Sequence, residues 1–202
     1  SCGDLQDVLK LRQVLKDVNE DYDFIFIDNS PARDVLLNMT YVAADYIIIP
    51  TESDEGSVDG IRAIFADLQA YHDINWSDAE VLGVIMTKTE RTSMHEYARE
   101  QISALLTEEL HSDAFFVEVR KSIVASEAKT EGVSMQSGKH HSKPAIDYRE
   151  VAERILDAVL GEDRETAMDV MDAKLMKMMI CKYEKTLQFC NVFYLQLLQN
   201  II

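Results

Sequence analysis

Four short runs of this chain are apolar almost without interruption: Phe24–Ile27, Tyr46–Ile49, Val81–Met86 and Phe115–Val119. A strand with one wet face alternates apolar and polar residues, whereas one buried on both faces does not. Amphipathic segments with helical spacing stand around these runs. Residues 4–19 place Leu5, Val8, Leu9, Leu15 and Val18 near one face, and residues 34–44 suit a short helix. Residues 57–71 follow with Ser57 as the expected cap, then 93–110 with Ser93 and Glu96 as a capping box, then 146–160 with Gly161 as a stop. Strand and helix in alternation, with strands apolar throughout, require a parallel sheet covered by helices on both faces. Ligands of such sheets bind beyond the carboxyl ends of the strands. That rule singles out Asp28, Pro50–Asp54, Thr87–Arg91 and Arg120–Ser122.

Charge and cysteine content narrow the function. The net charge is −16, and the stretch beyond residue 161 is nearly neutral, so residues 1–161 carry almost all of it. Such a body repels a bare phosphate backbone, which disfavours broad nucleic-acid binding by this chain alone. Cys2, Cys181 and Cys190 are odd in number and irregular in spacing, and they read as reduced thiols of a cytosolic protein. Ser1-Cys2-Gly3-Asp4 has neither the basic start nor the apolar stretch of a secretion signal, and without an initiator Met the N-terminus reads as a cut.

The chain divides into an α/β domain over 1–161 and a tail over 162–202. The tail is Met-rich, and it carries no charge from Leu187 onward. It falls short of the roughly 20 apolar residues that span a bilayer, so the expectation is helix. Two uses are open for it: a helix lying on a membrane surface behind Lys174, Lys177, Lys182 and Lys185, or a cover for apolar surface.

Asp28 ends the first apolar run and is followed by Asn29-Ser30-Pro31. On the residues alone it has two readings. It caps the following turn, or it presents a hard oxygen ligand to Mg²⁺ at the mouth of a sheet. The second reading calls for a Gly-rich phosphate loop with a Lys. The nearest candidate, Gly132 to His140, has five residues between its glycines instead of four, has His140 where Ser or Thr should stand, and follows no strand. It is rejected. Of the smaller features, Lys139, His140, His141 and Lys143 form either a basic patch or a solvated loop, and Trp76 is expected to pack over a sheet edge.

The stretch YDFIFIDNSPARDVLLNMTYVAADYIIIPTESDEGSVDGIRAIF resembles the middle of a ParA/MinD-type partition ATPase. The matching pieces are Asp28–Pro31, Ala43-Ala44-Asp45 and Ile47–Pro50, with Gly60 in the next helix, and the spacing is free of gaps. VLGVIMTKTER, FFVEVRKSIVASEAKTEGVS and DYREVAERIL are similar to the family's later strands and closing helix, with Val119 where the family usually has Pro. The resemblance implies an α/β fold, an incomplete doubly wound parallel sheet of the P-loop NTPase kind lacking its N-terminal strands, with a helical tail. It implies that Asp28 is the switch carboxylate near Mg²⁺ and the attacking water, and that Asn29–Pro31, with Pro31 at its end, sense the γ-phosphate. It sets Thr87 and Lys88 where the family touches adenine, Arg120 and Lys121 beside the base, and Glu52–Glu55 near a dimer face.

For the intact protein the resemblance implies ATP and Mg²⁺ as cofactors and a homodimer formed on ATP. It also implies nonspecific DNA binding by that dimer, a DNA-bound ParB-like partner, and a cytoplasmic, nucleoid-associated location without membrane contact. The family's phosphate loop, which precedes the matching stretch, is absent from these 202 residues. Hydrolysis by this chain alone is therefore not expected. A non-catalytic interaction fragment and a MinD-like membrane-associated ATPase stand as the alternatives.

Overall fold

The structure is a computed structural model that describes residues 5–22, 24–29, 35–54, 56–122, 143–161 and 178–182. In chain order it runs α1 (Leu5–Lys16), a 3-10 turn (Asn19–Asp21), β1 (Phe24–Asp28), α2 (Val35–Ala43), β2 (Tyr46–Thr51) and α3 (Ser57–Asp73). Then come β3 (Glu80–Thr89), α4 (Ser93–Ala104) with a π turn (Leu105–Glu109), β4 (Phe115–Arg120), α5 (Lys143–Leu160) and β5 (Met178–Lys182). All strand pairs are parallel, as the unbroken apolar runs require.

The strands form two sheets. One has the order β2-β3-β4, the other β1-β5. In the first, β3 is central, and its Val84, Ile85 and Met86 are fully enclosed. Val84 and Met86 pack with Ile49, Ile61, Ile102, Leu105 and Leu106 beneath α3 and α4. Ile85 packs with Leu82, Val117 and Val119 against Tyr148, Val151 and Ile155 of α5. Helices on both faces explain why β3 reads as apolar throughout, and each such side chain contributes about 1.5–3 kcal/mol by leaving water.

β1 differs from the expectation of a strand buried on both faces: every residue from Phe24 to Asp28 is only half-buried. Its ladder partner is β5 rather than the three-stranded sheet, although Phe26 packs at the border of the α5 core beside Ile48. β5 is also where the expectation of a helical tail fails. Residues 178–182 are strand, in register from Phe24 opposite Met178 to Asp28 opposite Lys182. A helical reading weighed only the spacing of the apolar residues. An edge that offers a row of backbone donors and acceptors can outweigh it. The rest of the tail, with the histidine pair at 140–141, lies outside the described residues.

Helix ends show smaller shifts. Thr92, not Ser93, caps α4 by accepting the His95 backbone N–H at 3.3 Å. Ser57 is the first residue of α3 rather than its cap, and its hydroxyl donates to the Asp54 carboxylate at 2.9 Å. Gly161 adopts φ +54° directly after α5, the left-handed turn at which it was expected to stop the helix. Trp76 leans on Tyr71, ring centroids 6.3 Å apart.

Tyr148 gives α5 a pH signature. Burial, and then the neighbouring Asp147 carboxylate, push its phenol up to about 12. The unfolded chain loses that proton near pH 10, the folded chain near 12. The stabilisation is therefore complete below pH ~10 and is lost as pH rises through ~12, in total about 3 kcal/mol. Urea unfolding followed across that range should show the decline, and Tyr148→Phe should flatten it. An unchanged slope in the variant would refute the assignment.

Candidate functional site

The carboxyl ends of β2, β3 and β4 lie side by side and are tied laterally by side chains. Thr87, half-buried near the end of β3, donates its hydroxyl to the Thr51 carbonyl on β2 at 3.1 Å. Lys88 follows with φ +56°, a left-handed conformation that costs a side chain of its size about 1 kcal/mol or more. The ladder to β4 is irregular here, between Met86 and Thr89. From this position the Lys88 ammonium pairs with the Glu52 carboxylate beyond β2. One strand further on, Lys121 donates its backbone N–H to the Thr89 carbonyl at 3.0 Å and its ammonium to Glu90 at 3.1 Å.

Arg120 is held most firmly. Its backbone N–H, Nε and Nη2 all donate to the Asp147 carboxylate, at 3.0, 2.6 and 2.7 Å. Asp147 is 5% exposed, so this fork joins the end of β4 to the first turns of α5. The same contact raises the guanidinium above its ordinary value and keeps it charged.

Thr87, Lys88, Arg120 and Lys121 thus come together at one sheet edge, and each of the three cations faces a carboxylate. Of those carboxylates, Asp147 is the residue that sequence reasoning did not place at the site; Glu52 and Glu90 fall within the segments singled out there, but not as partners of Lys88 and Lys121. Their partners lie 27 to 36 residues away along the chain, and no local pattern reveals such pairs.

Asp28 ends β1 in the other sheet, with its Oδ1 shielded from solvent. Asn29 beside it is anchored, because the buried Thr40 of α2 donates its hydroxyl to the Asn29 side-chain oxygen at 2.8 Å. The α2 helix therefore fixes how the chain leaves β1. Ser30 and Pro31 lie outside the described residues. A carboxylate at a strand end suits Mg²⁺, which takes one or two carboxylates and fills its other positions with water and phosphate. The described residues hold no cluster of three or more His, Cys, Asp or Glu that would bind a metal by itself. A triphosphate fits less well, since Lys88, Arg120 and Lys121 are already paired and the described residues offer no backbone cradle.

Comparison with known proteins shows what the chain is similar to. The model of an AAA domain matches residues 3–81. The uncharacterised protein MJECL24 of Methanocaldococcus jannaschii is 27% identical over 153 residues, which is 75% of this chain and 58% of that protein. The chromosome-partitioning ATPase Soj of Thermus thermophilus is 22% identical over 149 residues, 74% of this chain and 58% of its own. Among solved structures, the ATP complex of McdA from Cyanothece superposes with a TM-score of 0.64 at 19% identity, covering 74% of this chain and 57% of that one. The chain is thus similar to ParA/MinD-type partition ATPases.

The chain spans less than three-fifths of the length of these relatives. Its parallel sheet and flanking helices share the fold of the structural neighbours. Among the described residues, no helix is long and apolar enough to cross a membrane.

Proposed function

We propose that this chain carries the switch carboxylate and the base-side edge of a ParA-type partition ATPase. The observation that supports the reading best is Asp28, closing a parallel strand at its carboxyl end with one oxygen shielded from solvent. In the intact protein Asp28 would hold Mg²⁺ or its water, and Pro31 would close the segment that senses the γ-phosphate. Thr87, Lys88, Arg120 and Lys121 would border the base. Bound Mg²⁺ would neutralise charge on the transferred phosphoryl group. On this reading the intact protein dimerises on ATP, binds DNA nonspecifically as a dimer, and answers to a ParB-like partner bound to DNA. The acidity of residues 1–161 disfavours DNA contact by this chain alone.

Two measurements test the proposal. Titration of the 202-residue chain with fluorescent ATP and Mg²⁺ should show no saturable binding below ~1 mM. Tight binding would refute the need for a separate phosphate cradle. Joined behind a phosphate-loop segment of the family, the chain should support Mg²⁺-dependent turnover that Asp28→Ala lowers about a hundredfold or more. Turnover indifferent to Asp28→Ala would remove the carboxylate from the mechanism.

A further inference from the structure

β4 closes the three-stranded sheet, and among the described residues no strand pairs with its far side. Backbone groups alternate direction along a strand. Lys121 turns its N–H toward β3, to the Thr89 carbonyl. Arg120 is therefore turned outward, and its N–H is taken by Asp147. Two and four residues earlier, Glu118 and Phe116 face the same open side. Among the described residues nothing takes the N–H and C=O groups of either there, and Asp147 ends the available ladder at Arg120.

This open edge is the floor of a groove of about 810 Å³ between α4 with its π turn on one side and α5 on the other. The groove is acidic. Arg99 and Arg120 line it, but they are engaged with Glu118 at 2.7 Å and Asp147 at 2.6 Å. Glu100 and Glu108 on the α4 side and Glu150 on the α5 side add three exposed carboxylates.

We propose that this groove is a docking site for a short extended cationic peptide, which adds to β4 as an edge strand over Phe116–Glu118. Main-chain hydrogen bonds supply the affinity, and lysine or arginine at alternate positions meets the glutamates of the rim. The slot is only a few residues long, so the occupant is a segment of a partner and not a folded sheet. Nucleotide plays no part in the interaction, which stands or falls apart from the ATPase reading.

The test uses the full chain and a fluorescent peptide of alternating lysine and valine, with binding followed by anisotropy. Saturable binding is expected with a Kd of roughly 10–100 µM, weakening as salt rises. The double substitution Glu100→Lys and Glu108→Lys, both on exposed side chains, should weaken it about tenfold or more. A peptide of the same charge methylated on every second backbone nitrogen should lose binding, because it cannot pair with the edge. Amide exchange at Phe116 and Glu118 should slow when the unmethylated peptide is added. Equal binding of the methylated peptide would reduce the contact to charge adhesion and overturn the proposal. So would the absence of saturable binding, which would also be the result if another part of the chain already filled the edge.

Discussion

Gly83→Val should destabilise the fold by about 3 kcal/mol, at the upper end of the cost of overpacking a core. Gly83 is buried in the central strand β3, in register with Phe115 of β4. A Cβ built at Gly83 would overlap the Phe115 ring, which lies across the glycine. The neighbouring Leu82 and Val84 are enclosed, so the backbone of β3 has little freedom to retreat. The melting temperature should fall by roughly 10 °C. Because the clash is with one side chain, Phe115→Ala should recover a large part of the loss. In a double-mutant cycle the coupling between the two sites should exceed about 1 kcal/mol. Additive effects would show that the ring moves aside freely and that the glycine is not needed for the approach of β3 and β4.

Arg120→Ala should cost about 2–3 kcal/mol, read as a lowered urea midpoint with unchanged slope. The change leaves the Asp147 carboxylate, 5% exposed, with a single backbone N–H donor in place of three donors. Breaking an enclosed ion pair from one side costs about 3–5 kcal/mol. The Arg120 side chain is 47% exposed, so water screens the pair and the lower figure applies. Arg120→Lys should restore little, because an ammonium cannot reproduce the two parallel bonds of the guanidinium fork. Full stability in Arg120→Ala would mean that the fork contributes nothing to holding α5 on β4.

The order of strands and helices was legible because each apolar run is bounded by polar residues and each helix has a continuous apolar face. Val84, Ile85 and Met86 are enclosed, as an unalternating run should be. What the sequence did not reveal depends on partners distant along the chain. Phe24–Ile27 looks like Val81–Met86 on the page, yet among the described residues only the second has helices over both faces, and the first is half-buried. The cap of α4 was misplaced by one residue because Thr92 and Ser93 offer the same chemistry side by side. Only backbone dihedrals distinguish them, and Thr92 is the extended one. At the site, the resemblance sets Lys88, Arg120 and Lys121 around the base and says nothing of their partners within the chain. The fold supplies each with an acid from another strand or helix.

The pairing of β1 with β5 has a consequence for synthesis. About 150 residues separate Phe24 from Met178, its partner across the ladder. At ~5–20 residues per second, a ribosome needs roughly ten to thirty seconds to cover that distance. Throughout that time β1 has left the exit tunnel without the backbone of its partner strand in place. β1 therefore waits through that whole interval for its partner strand, and a chaperone has that long to act on it.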